Sequence, residues 1–324
     1  MTRRRVGCLA VVLIAALALL AVGAWRGWSG AGPLEAPATV TIADGASLTA
    51  AAETLEDAGV IHSQDRFLML ARLFGGDEPV RAGEYEMPAH VSASQALRIL
   101  QREVAVQRFV TIPEGMPSVL VRDRLMAEPL LTGEVPVPAE GSVLPDSYSY
   151  ERGESRAAVL VRMQAAMRGE LARLWPRRTR RSIVRTPAEA VTLASIVEKE
   201  TAVPAERRTV AGVYTNRLRE GMMLQADPTI IYPITRGRPL GRRIRRSEIR
   251  QRNGYNTYAM TGLPAGPIAN PGRESIAAVL DPAPTDALYF VADGRGGHVF
   301  AATLEEHNRN VERWYAIRRA RGEM

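Results

Sequence analysis

Two carboxyl side chains, Glu198 and Glu200, flank the only lysine of the chain, Lys199, at the end of the stretch TPAEAVTLASIVEKET, residues 186–201. Carboxyl groups at the end of an apolar segment suit general acid–base work. Partial desolvation raises their pKa toward neutrality, where a carboxylic acid can give up a proton and take one back. Two residues apart on a helix, the pair points to nearly opposite faces, so one side chain can enter a cleft while the other meets water or an arginine. Helix geometry alone does not say which. An ordinary helix whose charged last turn reaches the surface would carry the same residues.

The element that must position them reads as a helix. Thr186 is a capping residue, Pro187 is preset for the first turn, and Glu189 stands where a capping box needs it. From Ala190 to Val197 only Thr192 and Ser195 are polar, and both are small, which predicts burial on nearly every side. A second helix, Ala205 to Glu220, is closed by Gly221. It places Val210, Val213, Tyr214, Arg217 and Leu218 on one buried face. The polar stretch LQADPTIIYP at 224–233 follows, then a basic loop from Arg236 to Arg250, then NGYNTYAMTGLPAGPIANPG at 253–272. Tyr255, Asn256 and Tyr258 offer the aromatic faces and amide hydrogen bonds that hold sugars and their acetamido groups. Four glycines and three prolines between Gly254 and Gly272 fix a shaped loop without helix or strand.

The N-terminus bears on the compartment. Arg3, Arg4 and Arg5 precede an uncharged run from Val6 to Ala24, and Trp25, Arg26 and Trp28 follow it. The run is long enough to span a bilayer once, with the arginines on the cytoplasmic side and the tryptophans at the far interface. Val22-Gly23-Ala24 also passes as a signal-peptide cleavage site, but the apolar run exceeds a usual signal core. Either way the bulk of the chain is expected outside the cytoplasm, anchored in the cytoplasmic (inner) membrane through residues 6–24. The net charge of +7 and pI near 10.0 call for an acidic partner. Export makes nucleic acid an unlikely one and leaves anionic lipid or a carboxylate-bearing polymer. The single cysteine, Cys8, excludes an intrachain disulfide and a cysteine-clustered metal site.

A linker rich in glycine, proline and alanine, residues 29–38, precedes alternating strand and helix patterns. Val40-Thr41-Ile42 reads as a strand, Ser47 caps a helix that Gly59 stops, and Ser63 caps another to about Phe74. Glu84-Tyr85-Glu86 is strand-like, and Ser92 to Gln101 is helical. VTIADG at 40–45 returns as VTIPEG at 110–115, each before a helix with leucine at the same offset, Leu55 and Leu125. This small α/β unit, residues 39–105, resembles the LysM-like modules that bind glycan chains. A loop at 137–151, two helical stretches over roughly 155–175 and a basic run from Arg177 to Arg185 lead back to the central helix.

Several long motifs in order carry a wider resemblance. LASIVEKET at 193–201, NRLREGMMLQADPTIIY at 216–232, YNTY at 255–258 and GLPAGPIANPG at 262–272 resemble the endolytic murein transglycosylases of the MltG/YceG type. LYFVADGRGGHVF at 288–300 and EHNRNV at 306–311 fit as well, so the resemblance runs from about residue 40 to the C-terminus. It implies an α+β protein laid out as membrane anchor (1–28), linker (29–38), LysM-like module (39–105) and mixed α+β catalytic domain (106–324). It further implies cleavage within nascent peptidoglycan strands, with peptidoglycan glycan as substrate and peptidoglycan synthases as candidate partners. It places the catalytic glutamate at Glu198, and Gln225, Asp227, Asn256 and Asn270 along the glycan groove. Tyr258 of the YNTY segment joins them. Ala226, Pro233, Ala265 and Ser142 depart from the usual pattern, and Pro233 and Ser142 concern the edges of that groove.

Such an enzyme needs one group acting as acid and then base. It protonates the leaving oxygen, then takes the proton of the C6 hydroxyl that attacks C1 of its own sugar, leaving a 1,6-anhydro end. Asp227 is the obvious second carboxylate for a hydrolase and is read here as an orienting group. Ser195 and Lys199, four apart, suggest a serine nucleophile with a lysine base, but the S-x-x-K spacing and a K-T-G element are lacking. His62, His90, His298 and His307 are too scattered for a metal motif, and no cofactor is called for. A membrane-tethered glycan-binding or division scaffold without activity is the alternative from another class.

Overall fold

The computed structural model describes residues 2–76, 78–102 and 106–323, and the side chains of 2–10 and 12 are not among those described. The chain is α+β, with three separate two-stranded sheets among many helices in the described residues. It divides into two compact units, Met1–Arg108 and Phe109–Met324.

In the first unit, helix α1 (Thr2–Ser29) is followed by strand β1 (Ala38–Ile42), helices α2 (Leu48–Asp57) and α3 (Gln64–Phe74), strand β2 (Gly83–Met87) and helix α4 (Ala93–Arg102). Strands β1 and β2 pair antiparallel, with Val40 opposite Tyr85 and Thr39 opposite Glu86. The two helix starts form where the capping residues stand: the Ser47 hydroxyl accepts from the Ala50 N–H and the Ser63 hydroxyl from the Arg66 N–H. Gly59, at φ 68, turns the chain after α2 in the left-handed conformation, and the Val60 N–H returns to the Leu55 carbonyl. Leu55, Phe67, Leu97 and Leu100 fill a core closed by Val40, Ile42, Tyr85 and Met87.

In the 6–24 segment expected to cross a bilayer, the side chains of 6–10 and 12 lie outside those described. Among the described residues no helix is long and apolar enough to cross a membrane. Val11, Leu13, Ile14, Leu17, Leu19 and Leu20 of α1 are exposed. The tryptophans behave differently from the expectation of an interfacial pair. Trp25 is exposed, but Trp28 is buried in the core, 6.1 Å from the Phe67 ring and 6.3 Å from Phe74. The stretch read as a linker is also held: Gly32 donates to the His90 carbonyl, and the His90 N–H to the Leu34 carbonyl. A Cβ at Gly32 would lie 2.1 Å from the Val91 oxygen, so only glycine fits this backbone approach.

The second unit, beginning within strand β3 (Arg108–Thr111), continues with helix α5 (Ser118–Ala127), strand β4 (Ser147–Tyr150) and helix α6 (Arg156–Leu174). The two helical stretches expected over 155–175 are this one helix, extended by a 3-10 turn at Trp175–Arg177. Next come α7 (Pro187–Glu200), α8 (Arg207–Arg219), α9 (Pro228–Thr235), α10 (Arg246–Arg250) and α11 (Arg273–Leu280). Antiparallel strands β5 (Tyr289–Ala292) and β6 (His298–Ala301) and helix α12 (Leu304–Ala320) complete the unit.

Helix α7 is the axis of this unit. Every residue from Ala190 to Val197 is buried, against Val210, Ala211 and Tyr214 of α8, Ile276, Val279 and Leu280 of α11, and Met167 and Leu174 of α6. Its start is capped by the Thr186 hydroxyl, which accepts from Glu189 N–H at 3.1 Å, while the Glu189 carboxylate reaches back one residue further, to Arg185 N–H at 2.6 Å. A satellite cluster of Val110, Ile112, Val121, Leu125, Val159 and Met163 binds α5 and α6 to the short strands. Leu55 and Leu125, the leucines of the internal echo, are both fully buried.

Phe67 joins α3 to Trp28, so Phe67→Ala opens a cavity in the first unit. The expected loss is about 3–5 kcal/mol, measured by denaturant unfolding of the full chain; a loss below 1 kcal/mol would show that this contact does not hold the unit together.

Candidate active site

The charged last turn of α7 divides three ways. Glu198 has only 5% of its side chain exposed; its Oε2 accepts the Gly272 N–H at 2.9 Å and its Oε1 the Arg207 guanidinium at 3.4 Å. Arg207 is shared with Glu114, at 2.7 Å. A Cβ at Gly272 would lie 2.0 Å from Glu114 Oε1, so a side chain there would displace the Glu114 carboxylate. Lys199 is exposed and reaches the Gly115 carbonyl at 3.5 Å. Glu200 turns inward, and its Oε1 is buried without a hydrogen-bond partner among the described residues.

Glu200 lies among groups from three other segments: Tyr214 and Arg217 of α8, Asp227 at the start of α9, and Tyr258 of the shaped loop. Burial pushes the Glu200 carboxyl up to about 7, and the charge of Asp227 adds to the rise; the Tyr214 hydroxyl and the Arg217 charge oppose it. This is the environment in which a carboxyl keeps a proton near neutral pH. Tyr214 itself is fully buried, and desolvation together with the Glu200 charge keeps its phenol firmly protonated. Arg217, 8% exposed, is anchored by the carbonyls of Leu288 at 2.6 Å and Leu224 at 2.9 Å and lies over the Tyr289 ring.

Two segments form the open side of this site. Gln225 is exposed and adopts φ 54, an unusual backbone for a residue with a side chain, and its Oε1 accepts from Arg217 at 3.4 Å. Asp227 is exposed, and its Oδ1 accepts the Tyr258 hydroxyl at 2.6 Å. Beneath them Thr229 and Thr257 share a buried hydroxyl contact of 2.8 Å, and Thr257 accepts from the Ala226 N–H at 3.0 Å. The residues expected to line one groove therefore separate. Gln225, Asp227 and Tyr258 come together beside Glu200, while Asn256 and Asn270 do not face outward.

Both asparagines, expected to hold glycan, are fully buried and used internally. The Asn256 amide donates to the carbonyls of Glu248, Ile249 and Gln251, and its Oδ1 accepts from the Tyr258 N–H at 3.0 Å. Asn270 donates to the Met116 carbonyl at 2.9 Å and the Ser118 hydroxyl at 3.0 Å, and accepts the Val143 N–H at 3.0 Å. Glu140, beside it, accepts the Ser118 N–H at 2.8 Å, and burial holds its carboxyl above the usual range.

A serine–lysine pair is not assembled. Ser195 is fully buried, donates to the Thr192 carbonyl at 2.7 Å and accepts the Ile268 N–H at 3.0 Å, while Lys199 points outward. Among the described residues no group of three or more His, Cys, Asp or Glu side chains is arranged to hold a metal ion. His298 instead pairs with Glu206 at 2.7 Å, and Glu206 accepts the Thr201 hydroxyl at 3.0 Å, which fixes the chain just beyond Glu200. Reading the sequence missed Tyr214 and Arg217 as site residues by assigning them only to a buried face. The usable signal was an arginine on that apolar face, since a buried guanidinium demands partners.

The sequence model of the YceG-like family matches residues 40–313. The endolytic murein transglycosylase of Bacillus subtilis (strain 168) is 33% identical over 177 residues, 55% of this chain and 48% of the relative. That of Streptococcus pneumoniae serotype 2 (strain D39) is 29% identical over 352 residues, covering 91% of this chain and 63% of the relative. The chain thus spans about half to just under two thirds of the length of these curated relatives. A crystal structure of a yceG-like protein from Listeria monocytogenes superposes with a TM-score of 0.52 at 27% identity, covering 84% of this chain and 98% of that one.

The raised Glu200 pKa has a consequence for stability that needs no substrate. The folded chain holds this proton up to about pH 7 while the unfolded chain releases it near 4.5, so stability is lost as pH rises between those values. Glu200→Gln mimics the protonated form. It should gain stability over the wild type at pH 8, relative to the same comparison at pH 4, by up to about 3 kcal/mol. Denaturant melts at the two pH values measure it; equal differences at both would show that the carboxyl is not held protonated.

Proposed function

Because the chain belongs to the YceG-like family, we propose that it is a lytic transglycosylase that cleaves peptidoglycan glycan within the strand, with Glu200 as its acid and base. The observation that carries this reading is a buried carboxyl raised to about 7 at the end of α7, beside an exposed Asp227. The curated relatives, named endolytic murein transglycosylases, support the same chemistry.

In this reading the protonated Glu200 carboxyl gives its proton to the oxygen linking N-acetylmuramic acid to the next sugar, and the C1–O bond breaks. The carboxylate so formed takes the proton of the C6 hydroxyl, whose oxygen bonds to C1. The products are a new 4-hydroxyl end and a 1,6-anhydro-N-acetylmuramic acid end, and Glu200 is protonated again. Asp227, with its Oδ1 fixed by Tyr258, faces the positive charge that develops at C1, and the exposed Gln225 amide is available to the sugar.

Glu198, to which the family resemblance pointed, is tied to Arg207 and the Gly272 amide. We assign it to holding the 262–272 loop against α7, and assign proton transfer to Glu200. The interior surroundings of Asn256 and Asn270 support structural roles for both.

An uncharged Val6–Ala24 run behind three arginines, with apolar side chains exposed along α1, supports a single-pass anchor in the cytoplasmic membrane. The remainder of the chain then works on its outer side, within reach of peptidoglycan synthases. The β1–α2–α3–β2 order of the first unit supports a LysM-like role for residues 39–105 in positioning glycan.

Digestion of purified sacculi tests the assignment. Glu200→Gln should lower cleavage about a hundredfold to ten-thousandfold, while Glu198→Gln of unchanged melting temperature keeps a much larger share. Wild-type cleavage should decline as pH rises through about 7, where Glu200 loses its proton. Mass spectrometry of the wild-type products should find 1,6-anhydro ends. Reducing ends would make the enzyme a hydrolase, and the opposite ranking of the two variants would return the acid to Glu198.

A further inference from the structure

The segment from Arg236 to Arg252 carries eight arginines and a single acidic residue, Glu248. That acid is already engaged. It takes a two-pronged ion pair from Arg242 and the Arg245 N–H at 2.7 Å. Arg238 is paired with Asp123 at 2.6 Å. Arg236, Arg243, Arg246, Arg250 and Arg252 are all exposed and have no carboxylate partner among the described residues, while the charge of the exposed Arg245 acts on Glu248. Five unneutralised guanidinium groups on one short segment repel one another, and an anion that bridges them relieves that repulsion.

The patch is also fixed in place at both ends. Gly237 adopts φ 81 with its backbone packed so closely on Pro117 that a Cβ would lie 2.6 Å from that ring, and the Arg238–Asp123 pair lies next to it. At the far end the Asn256 side chain holds the carbonyls of Glu248, Ile249 and Gln251, while its Oδ1 holds the Tyr258 N–H. One buried side chain therefore ties the arginine-bearing turn to the tyrosine that orients Asp227. A flexible basic tail would have no such register with the site.

We propose that this arginine rim binds the free carboxylates of the peptide stems carried by the glycan strand while the strand lies beside Glu200. The inference rests on the glycan-cleaving reading above and names which part of the substrate is recognised besides the sugars. A strand with stems presents carboxylates at regular intervals along its length, and planar guanidinium forks match carboxylates two oxygens at a time. Continuity with Tyr258 and Asp227 favours the substrate as occupant over a lipid surface. Being exposed, the contacts would be screened by salt, so binding should weaken as ionic strength rises.

The test separates binding from cleavage by using the full chain carrying Glu200→Gln. Uncrosslinked glycan strands with intact stem peptides are compared with the same strands after amidation of their carboxylates. Triple reversal, R243E/R246E/R250E, should weaken binding of the carboxylate strands by about tenfold or more, each exposed contact contributing a few-fold, and should flatten its salt dependence. The amidated strands should bind weakly and equally to both proteins. A second triple variant with glutamine at these positions should show the same loss in smaller measure, which guards against an effect of the introduced glutamates on folding. Equal binding of carboxylate strands by parent and both variants would overturn the proposal. So would arginine-dependent binding to phosphatidylglycerol vesicles with none to the strands. Failure of the wild-type chain to cleave these strands, with carboxylate-dependent binding intact, would count against the proposed reaction alone.

Discussion

The rest of the second unit is arranged around the burial of α7. A helix with every residue from Ala190 to Val197 out of water leaves no solvated face on which to place charge, yet its last turn carries three charged residues. Each finds a different solution. Glu198 meets a guanidinium and a backbone amide, Lys199 leaves for the surface, and Glu200 enters a pocket of tyrosine, arginine and aspartate. Removing a carboxyl from water without a full set of partners shifts it toward its neutral form. The raised pKa of Glu200 is thus a by-product of where the helix ends, and the packing of α8 and α11 on α7 maintains it.

The loops around that helix end are joined to one another by buried polar groups. Thr229 and Thr257 couple the start of α9 to the YNTY segment, Asn256 couples that segment to the arginine-bearing turn, and Asn270 couples the proline-rich loop to residues 116–143. Networks of this kind are favourable only when every member is satisfied. Here both asparagines use their donors and their acceptor, which makes them structural specifiers of loop shape. The exposed Gln225 and Asp227 and the half-buried Tyr258 are what that shape presents.

Features set by neighbours in sequence were legible before any coordinates. Ser47, Ser63 and Thr186 cap helices where their types and spacing put them, and Gly59 ends one, because capping is decided within four residues. Helix α9, with Pro233 inside it, was not legible, since burial of Thr229, Ile230 and Tyr232 holds it against the proline; the short α10 is a single turn closed by Glu248 on the Arg245 N–H, inside a stretch that reads as a loop. The choice between Glu198 and Glu200 was open for a related reason. Two residues of helix turn select opposite sides, but only Arg207, Tyr214 and Asp227, brought in by folding, give those sides their character. Amide side chains posed the same difficulty. Nothing in the letters YNTY or ANPG says that Asn256 and Asn270 point inward.

The bonds of Asn270 also set an order in time. Its partners Ser118 and Val143 precede it by 152 and 127 positions, so no part of that junction exists until most of the chain has been made. Contacts of such long sequence separation close late and slowly, because the intervening chain must first be ordered. The first unit contains its own core and its own sheet and has no such wait. A polypeptide emerging from its N-terminus therefore completes the first unit while the pocket around Glu200 is still missing its walls. The order of assembly, the first unit before the pocket around Glu200, is thus built into the chain's connectivity.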